Sequence, residues 1–200
     1  MFLLGLVGKK NSGKDTLGNY LEKKYNFTKL SFAEPLKKIT SILFEWEMNL
    51  LEGNTPKSRI WREQKDEYWS SKLKQDFTPR KALQTIGTDI FRKNFDENIW
   101  IYIIEKKILK NINDKNQHIV ITDCRFENEC KFIKEYGGIL FFISRKESFL
   151  NDEHDSENIE KLKSLCDEKI NNDSTLENYL KISEEKVLKY ISINSMKKSS

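Results

Sequence analysis

The residues with the clearest chemical meaning lie at Gly8–Thr16, GKKNSGKDT. Gly8, four residues, Gly13 and Lys14, with a hydroxyl on Thr16, fit the spacing of a Walker A phosphate loop. In such a turn the backbone N–H groups of Gly8, Lys10, Asn11, Ser12, Gly13 and Asp15 and the positive end of the next helix face a polyphosphate. Lys14 then spans the outer phosphates, and Thr16 offers its hydroxyl to Mg²⁺. Asp15 follows the lysine directly, where many such loops already carry Ser or Thr. A polar turn with chance glycines is the plainer reading, and the flanking sequence argues against it. Phe2-Leu3-Leu4-Gly5-Leu6-Val7 is an apolar strand, and Leu17, Tyr20, Leu21 and Tyr25 share one face of a following helix.

A second acidic and basic set lies far along the chain. His118–Asp123, HIVITD, reads as a buried strand ending in an acid, a Walker B position from which Asp123 holds Mg²⁺ directly or through water. Taken alone, such an acid is as readily a helix cap. Arg125 is placed for phosphate, and Phe126, Cys130 and Ile133 are expected to form the buried face of the next helix, which Gly137-Gly138 stops. After a strand over residues 139–143, Arg145 and Lys146 open a polar, aperiodic stretch that reads as a lid over residues 144–157. Arg145 is a candidate contact for the moving phosphoryl group. His154 lies among acids and reads equally well as an exposed loop histidine.

The remaining elements must present an acceptor. Residues 27–32 read as a short strand, and Pro35 marks the first turn of a helix whose expected packed face is Leu36, Ile39, Ile42, Leu43 and Trp46. Lys37, on another face, is a candidate acceptor-phosphate contact or simply a solvated lysine. Residues 50–78 are the least regular, mixing Arg59, Trp61, Arg62, Tyr68, Trp69 and Lys72; these aromatics could stack on a base or pack in a core. Thr78-Pro79 starts a helix with an expected buried stripe of Ala82, Leu83, Ile86 and Ile90, while Arg80, Gln84 and Thr88 recur on another face. Gly87 beside them points to a close approach by ligand or neighbouring backbone. Ile101, Ile104, Ile108 and Ile112 mark a further helix, with Trp100 anchoring its start. Residues 168–171 form a last strand, and Asp173-Ser174 cap a helix with Leu176, Tyr179, Leu180, Val187, Tyr190 and Ile191 on one face.

Two hundred residues with 38% apolar content support one α/β domain over 1–194, with a disordered tail at 195–200. The net charge of +4 on a chain that is 33% charged is too small to argue for a nucleic-acid surface. Cys124, Cys130 and Cys166 have no Cys-x-x-Cys spacing, which argues against a disulfide framework or zinc site and for reduced thiols. The apolar start is too short for a signal peptide or membrane span. A soluble, cytoplasmic protein is expected, without nucleic acid or membrane as partner; a homodimer is left open.

GKKNSGKDT, SFAEPLK, TPRKALQTIGTDIFR, ITDCRFENE, the strand ending Ile143-Ser144-Arg145, and HDSEN together resemble the deoxynucleoside monophosphate kinases of tailed phages and large DNA viruses, over nearly residues 2–180. The hydroxyl one place late in the loop is also a feature of small nucleotide kinases. The resemblance implies a P-loop kinase: a parallel sheet flanked by helices, a helical acceptor-binding insertion at about 33–98, ATP as donor, Mg²⁺, and a deoxynucleoside monophosphate as acceptor. It implies Asp123 and Arg125 at the catalytic strand end. For the acceptor, Lys37, Arg80 and Gln84 match the family's pattern; Phe32, Trp69, Thr88, Arg125 and Glu129 are further candidate acceptor contacts. Base selectivity stays open, since residues 50–75 match no motif. Animal-type phosphomevalonate kinase is similar around Gly8–Asp15 but lacks the Arg-Phe-x-Asn-Glu run. A nucleotide-dependent binding protein using the loop as a switch is the alternative from another class.

Overall fold

The computed structural model describes residues 1–111, 118–146 and 161–197. The chain divides into two compact units, one of Met1–Ser31 with Lys106–Ser200 and one of Phe32–Glu105.

The first unit is built on a parallel five-stranded sheet. Its strands are β1 (Phe2–Val7), β2 (Thr28–Leu30), β3 (His118–Cys124), β4 (Ile139–Ser144) and β5 (Glu168–Asn171), in the order β2-β3-β1-β4-β5. All six residues of β1 are buried, as expected for a central parallel strand covered on both faces. Leu4 pairs with Val120 of β3 on one side and Ile139 of β4 on the other. Around the sheet lie α1 (Lys14–Tyr25), α8 (Glu127–Glu135) and the last helix, α9 (Leu176–Lys197). Leu6, Leu17, Leu21, Phe141, Tyr179 and Val187 share one core, where full burial of each large apolar side chain contributes about 1.5–3 kcal/mol.

The connection from β1 through α1 leads to β2 on one side of the sheet, and that from β3 through α8 leads to β4 on the other. Where adjacent strands send their connections opposite ways, their carboxyl ends border a crevice that suits a ligand. The phosphate loop and the segment Asp123–Phe126 stand at these two strand ends.

The second unit is helical: α2 (Ala33–Phe44), α3 (Met48–Glu52), α4 (Pro56–Glu63), α5 (Glu67–Leu73), α6 (Pro79–Gln84), a π-helical run over Thr85–Arg92, and the start of α7 (Ile99–Asn111). Residues 50–78, expected to be irregular, are mostly short helices. Thr55 and Asp66 cap α4 and α5 by accepting the amides of Ser58 and Trp69, and Thr78 caps α6 through Lys81. A small core of Trp46, Leu51, Phe77 and Ala82, with Phe44, Trp61, Trp69 and Leu83 against it, holds these pieces.

Several expected faces differ. The α2 stripe runs through Leu36, Thr40 and Phe44, spaced by four, which leaves Ile42 80% and Leu43 56% exposed. Ile90 is also exposed: in the π-helical run each turn takes an extra residue, so Ile86, Gly87 and Arg92 turn inward instead. Phe126 precedes α8 and is exposed, and Leu176 is exposed in the first turn of α9. Thr175, rather than Asp173-Ser174, caps that helix through the amide of Asn178. α9 also continues to Lys197, past the expected start of the tail; residues 198–200, Ile112 and the lid residues 147–157, with His154, lie outside the described residues.

Candidate active site

The phosphate loop closes on its own lysine. Lys14 Nζ donates to the carbonyl oxygens of Gly8 and Lys9, both at 2.7 Å, and lies 3.4 Å from Ser12 Oγ. Lys14 is only 7% exposed, and burial followed by the positive charge of Arg125 lowers its pKa to about 8; Asp15 and Asp123 oppose that shift. The same charges place Lys14, Asp123 and Arg125 within electrostatic reach of one another. Asp15 and Thr16 are exposed in the first turn of α1, as are Lys10 and Asn11 in the loop. Ser12 is fully buried, its amide donating to Lys9 O at 3.2 Å.

Gly13 is a requirement of the turn. Its φ of 111° is rarely open to side-chain-bearing residues, and a Cβ there would stand 2.4 Å from Asn172 Nδ2. Asn172 Nδ2 donates to Ser12 O at 2.9 Å, and the Tyr179 hydroxyl donates to Gly13 O at 3.0 Å. Local spacing marks neither residue for this role: Tyr179 is one apolar position among six on its helix, and Asn172 carries no local signal.

At the neighbouring strand end, the Ser31 hydroxyl donates to Asp123 Oδ2 at 2.6 Å. Ser31 follows β2, so the ends of the neighbouring strands β2 and β3 jointly fix the carboxylate. Arg125 is exposed beyond it. Glu129, expected to touch the acceptor, is placed differently: it is 2% exposed, and its Oε2 accepts the amides of Arg125 at 2.8 Å and Phe126 at 3.1 Å. Its carboxylate therefore shapes the Arg125 loop, a use that a Glu in the first turn of a helix favours. Arg145 is exposed at the end of β4. Next to it, the Lys146 amide donates to Asp173 Oδ1 at 2.7 Å, holding that carboxyl below its usual range.

Apart from Arg125 and Glu129, the acceptor candidates lie in the second unit. Lys37 Nζ is ion-paired with Glu52 Oε2 at 2.7 Å, and Arg80 with Glu63. Gln84 is exposed and Thr88 half-buried on the same run. Trp69 packs edge-on against Phe44 and Tyr68 beside the small aromatic core, and Phe32 is 3% exposed, so both rings serve packing in this conformation. Gly87 does mark a close approach, though by a side chain: a Cβ there would lie 2.6 Å from Leu36 Cδ2. The Trp100 indole donates to Gly87 O at 3.1 Å, so this glycine is where α2 and α7 meet the π-helical run.

Among the described residues no helix is long and apolar enough to cross a membrane, and no group of three or more His, Cys, Asp or Glu is arranged to hold a metal ion.

In fold, the chain is similar to dephospho-CoA kinase from Campylobacter jejuni, with a TM-score of 0.53 at 15% identity over 96% of this chain and 98% of that one. In sequence it is 36% identical over 192 residues to a protein of Acanthamoeba polyphaga mimivirus assigned as a deoxynucleotide monophosphate kinase, covering 91% of this chain and 94% of that one. It is 26% identical over 183 residues to the deoxynucleoside-5'-monophosphate kinase of Escherichia phage T5, covering 66% and 72%. The family model for deoxynucleotide monophosphate kinase matches residues 52–182, most of the second unit together with the Asp123–Arg125 strand end, and with it the chain belongs to the deoxynucleotide monophosphate kinase family.

Proposed function

We propose that this protein transfers the γ-phosphoryl group of ATP to a deoxynucleoside monophosphate, giving the diphosphate for deoxynucleotide supply. The observation that carries this reading is the pairing, in a member of this family, of a buried Lys14 inside a closed phosphate loop with Asp123 and Arg125 at the adjacent strand end.

Phosphoryl transfer between two polyanions is limited by positioning and by charge, with little covalent work for the protein. The acceptor phosphate is already an oxyanion, so no strong base is required. The amides of the loop and Lys14 take the donor phosphates. Arg125 and Arg145 neutralise charge that spreads over the moving group, and Arg80 with Lys37 receive the acceptor phosphate. Both acceptor cations are now paired with carboxylates, Glu63 and Glu52, so an arriving phosphate exchanges one anionic partner for another. Thr16 and Asp123 offer a hydroxyl and a carboxylate, hard oxygen donors that fit Mg²⁺ keeping waters and nucleotide oxygens in its shell. When bound there, Mg²⁺ would neutralise phosphate charge.

The test is a coupled ADP-release assay over the ribo- and deoxynucleoside monophosphates. ADP release that depends on at least one deoxynucleoside monophosphate is expected. Slow ATP hydrolysis indifferent to every monophosphate, with DNA binding that weakens steeply with salt, would replace the kinase by a nucleotide-switched binding protein.

A further inference from the structure

We propose that Asn172 and Tyr179 are positioning residues for ATP: they fix two successive peptide planes of the phosphate loop from outside. This rests on the kinase reading only for the catalytic part of its test.

The two side chains reach adjacent carbonyls of the loop, Ser12 O at 2.9 Å and Gly13 O at 3.0 Å, from 160 and 166 residues away in sequence. In a trans peptide the carbonyl and the next N–H point in opposite directions within one plane. Holding Ser12 O toward Asn172 therefore aims the N–H of Gly13 away from it, and holding Gly13 O toward Tyr179 does the same for the N–H of Lys14. Those are donors that a phosphate loop turns to its ligand. Gly13 O also accepts the Leu17 amide at 3.0 Å, so the Tyr179 bond is set on the first turn of α1.

Both donors are themselves fixed. Tyr179 has no exposed surface and packs in the main core, with its ring 3.3 Å from the position of a Gly13 Cβ. Asn172 follows β5, and its own amide donates to Ser144 O at 2.8 Å. The next residue, Asp173, takes the Lys146 amide. One short segment, 172–173, thus links the loop's Ser12 carbonyl to the backbone on either side of Arg145. This couples the donor-phosphate amides to the segment that carries Arg145.

A merely structural tyrosine would act through its ring, so Tyr179→Phe separates the two roles by keeping the ring and removing the hydroxyl. Asn172→Leu keeps nearly the same shape and removes the donor without adding charge. Each variant is expected to raise the KM for ATP, and the Kd of a non-hydrolysable ATP analogue, about 5- to 15-fold. The KM for the deoxynucleoside monophosphate should stay within about twofold, and the Tm within about 3 °C. Because the two bonds hold neighbouring planes, the double variant should depart from the product of the single effects. Analogue affinity within twofold of wild type in both single variants overturns the proposal. So does a loss of Tm with ATP and acceptor constants shifting together, which makes the pair plain packing. If wild type passes phosphate to no monophosphate, the kinase reading falls by itself, and analogue binding still decides the positioning role.

Discussion

The Ser31 hydroxyl donates to Asp123 Oδ2 at 2.6 Å, joining the residue after β2 to the acid near the end of β3. A hydroxyl bonded to one carboxylate oxygen restrains the direction in which the group points. Ser31→Ala should leave the Asp123 side chain in place but less restrained. The expected result is a raised Mg²⁺ concentration for half-maximal activity, about 2- to 10-fold, reflecting one lost hydrogen bond to a charged group. Asp123→Asn removes the charge without the shape and should raise the requirement further and lower kcat. Unchanged metal titrations in both variants would reduce Asp123 to a structural cap.

Lys14 carries the pH dependence. Its pKa, lowered to about 8 by burial and by Arg125, means the side chain is charged below that pH and neutral above it. A polyanion bound at the loop favours the charged form and raises the pKa, so ATP binding near pH 8 should take up protons. Titration calorimetry in buffers of different ionisation enthalpy would read that uptake. The KM for ATP should climb as pH rises above about 8, whereas Lys14→Arg, which stays charged, should show a flat KM over the same range. Lys14→Met should nearly abolish transfer with the fold intact; activity within tenfold of wild type would sink the donor-site assignment.

Glu129 is a test of the loop that presents Arg125. Its buried carboxylate satisfies the amides of Arg125 and Phe126, and removing it leaves both without that acceptor. Glu129→Ala should cost about 1–3 kcal/mol in stability and lower kcat through a displaced Arg125. Glu129→Gln retains an acceptor oxygen and should recover most of the stability, as chemical denaturation would report. If Glu129 instead binds the acceptor, Glu129→Gln would raise the monophosphate KM with stability unaltered.

The parts of this molecule legible in sequence are those that depend on local spacing. The run from Phe2 to Tyr25 announces strand, turn and helix because its apolar periods and its glycines agree, and HIVITD announces a buried strand by its unbroken apolar core. The supports were not legible. Ser31, Asn172 and Tyr179 act on Asp123, Ser12 and Gly13 across 92, 160 and 166 residues, and such long-range hydrogen bonds leave no periodic trace. The π-helical run misled in a different way, since a 3.6-residue period applied to Ala82–Ile90 assigns Ile90 to a face that the wider turn rotates to the surface. The short helices of residues 50–78 did carry signals, in Thr55-Pro56 and Asp66, but Gly53 and the mixed charges obscured them.

The acceptor assignment is tested at Arg80 and Gln84. Arg80 is 30% exposed and paired with Glu63, an arrangement that on its own is an ordinary surface ion pair. If Arg80 instead serves the acceptor phosphate, Arg80→Ala should raise the KM for the monophosphate about 10- to 150-fold, as loss of a charge-assisted contact implies, with the KM for ATP little changed. Glu63→Gln should act oppositely, lowering the monophosphate KM by freeing the guanidinium. Gln84→Ala should alter the ranking of bases more than the overall affinity, because an amide reads a base edge and adds little to phosphate attraction. Titration of four deoxynucleoside monophosphates at saturating ATP, with ATP titrated at a saturating monophosphate, measures all three. Equal shifts for ATP and acceptor in Arg80→Ala, no effect of Glu63→Gln, and an unaltered base ranking in Gln84→Ala would make this helix a solvated face with no part in acceptor binding.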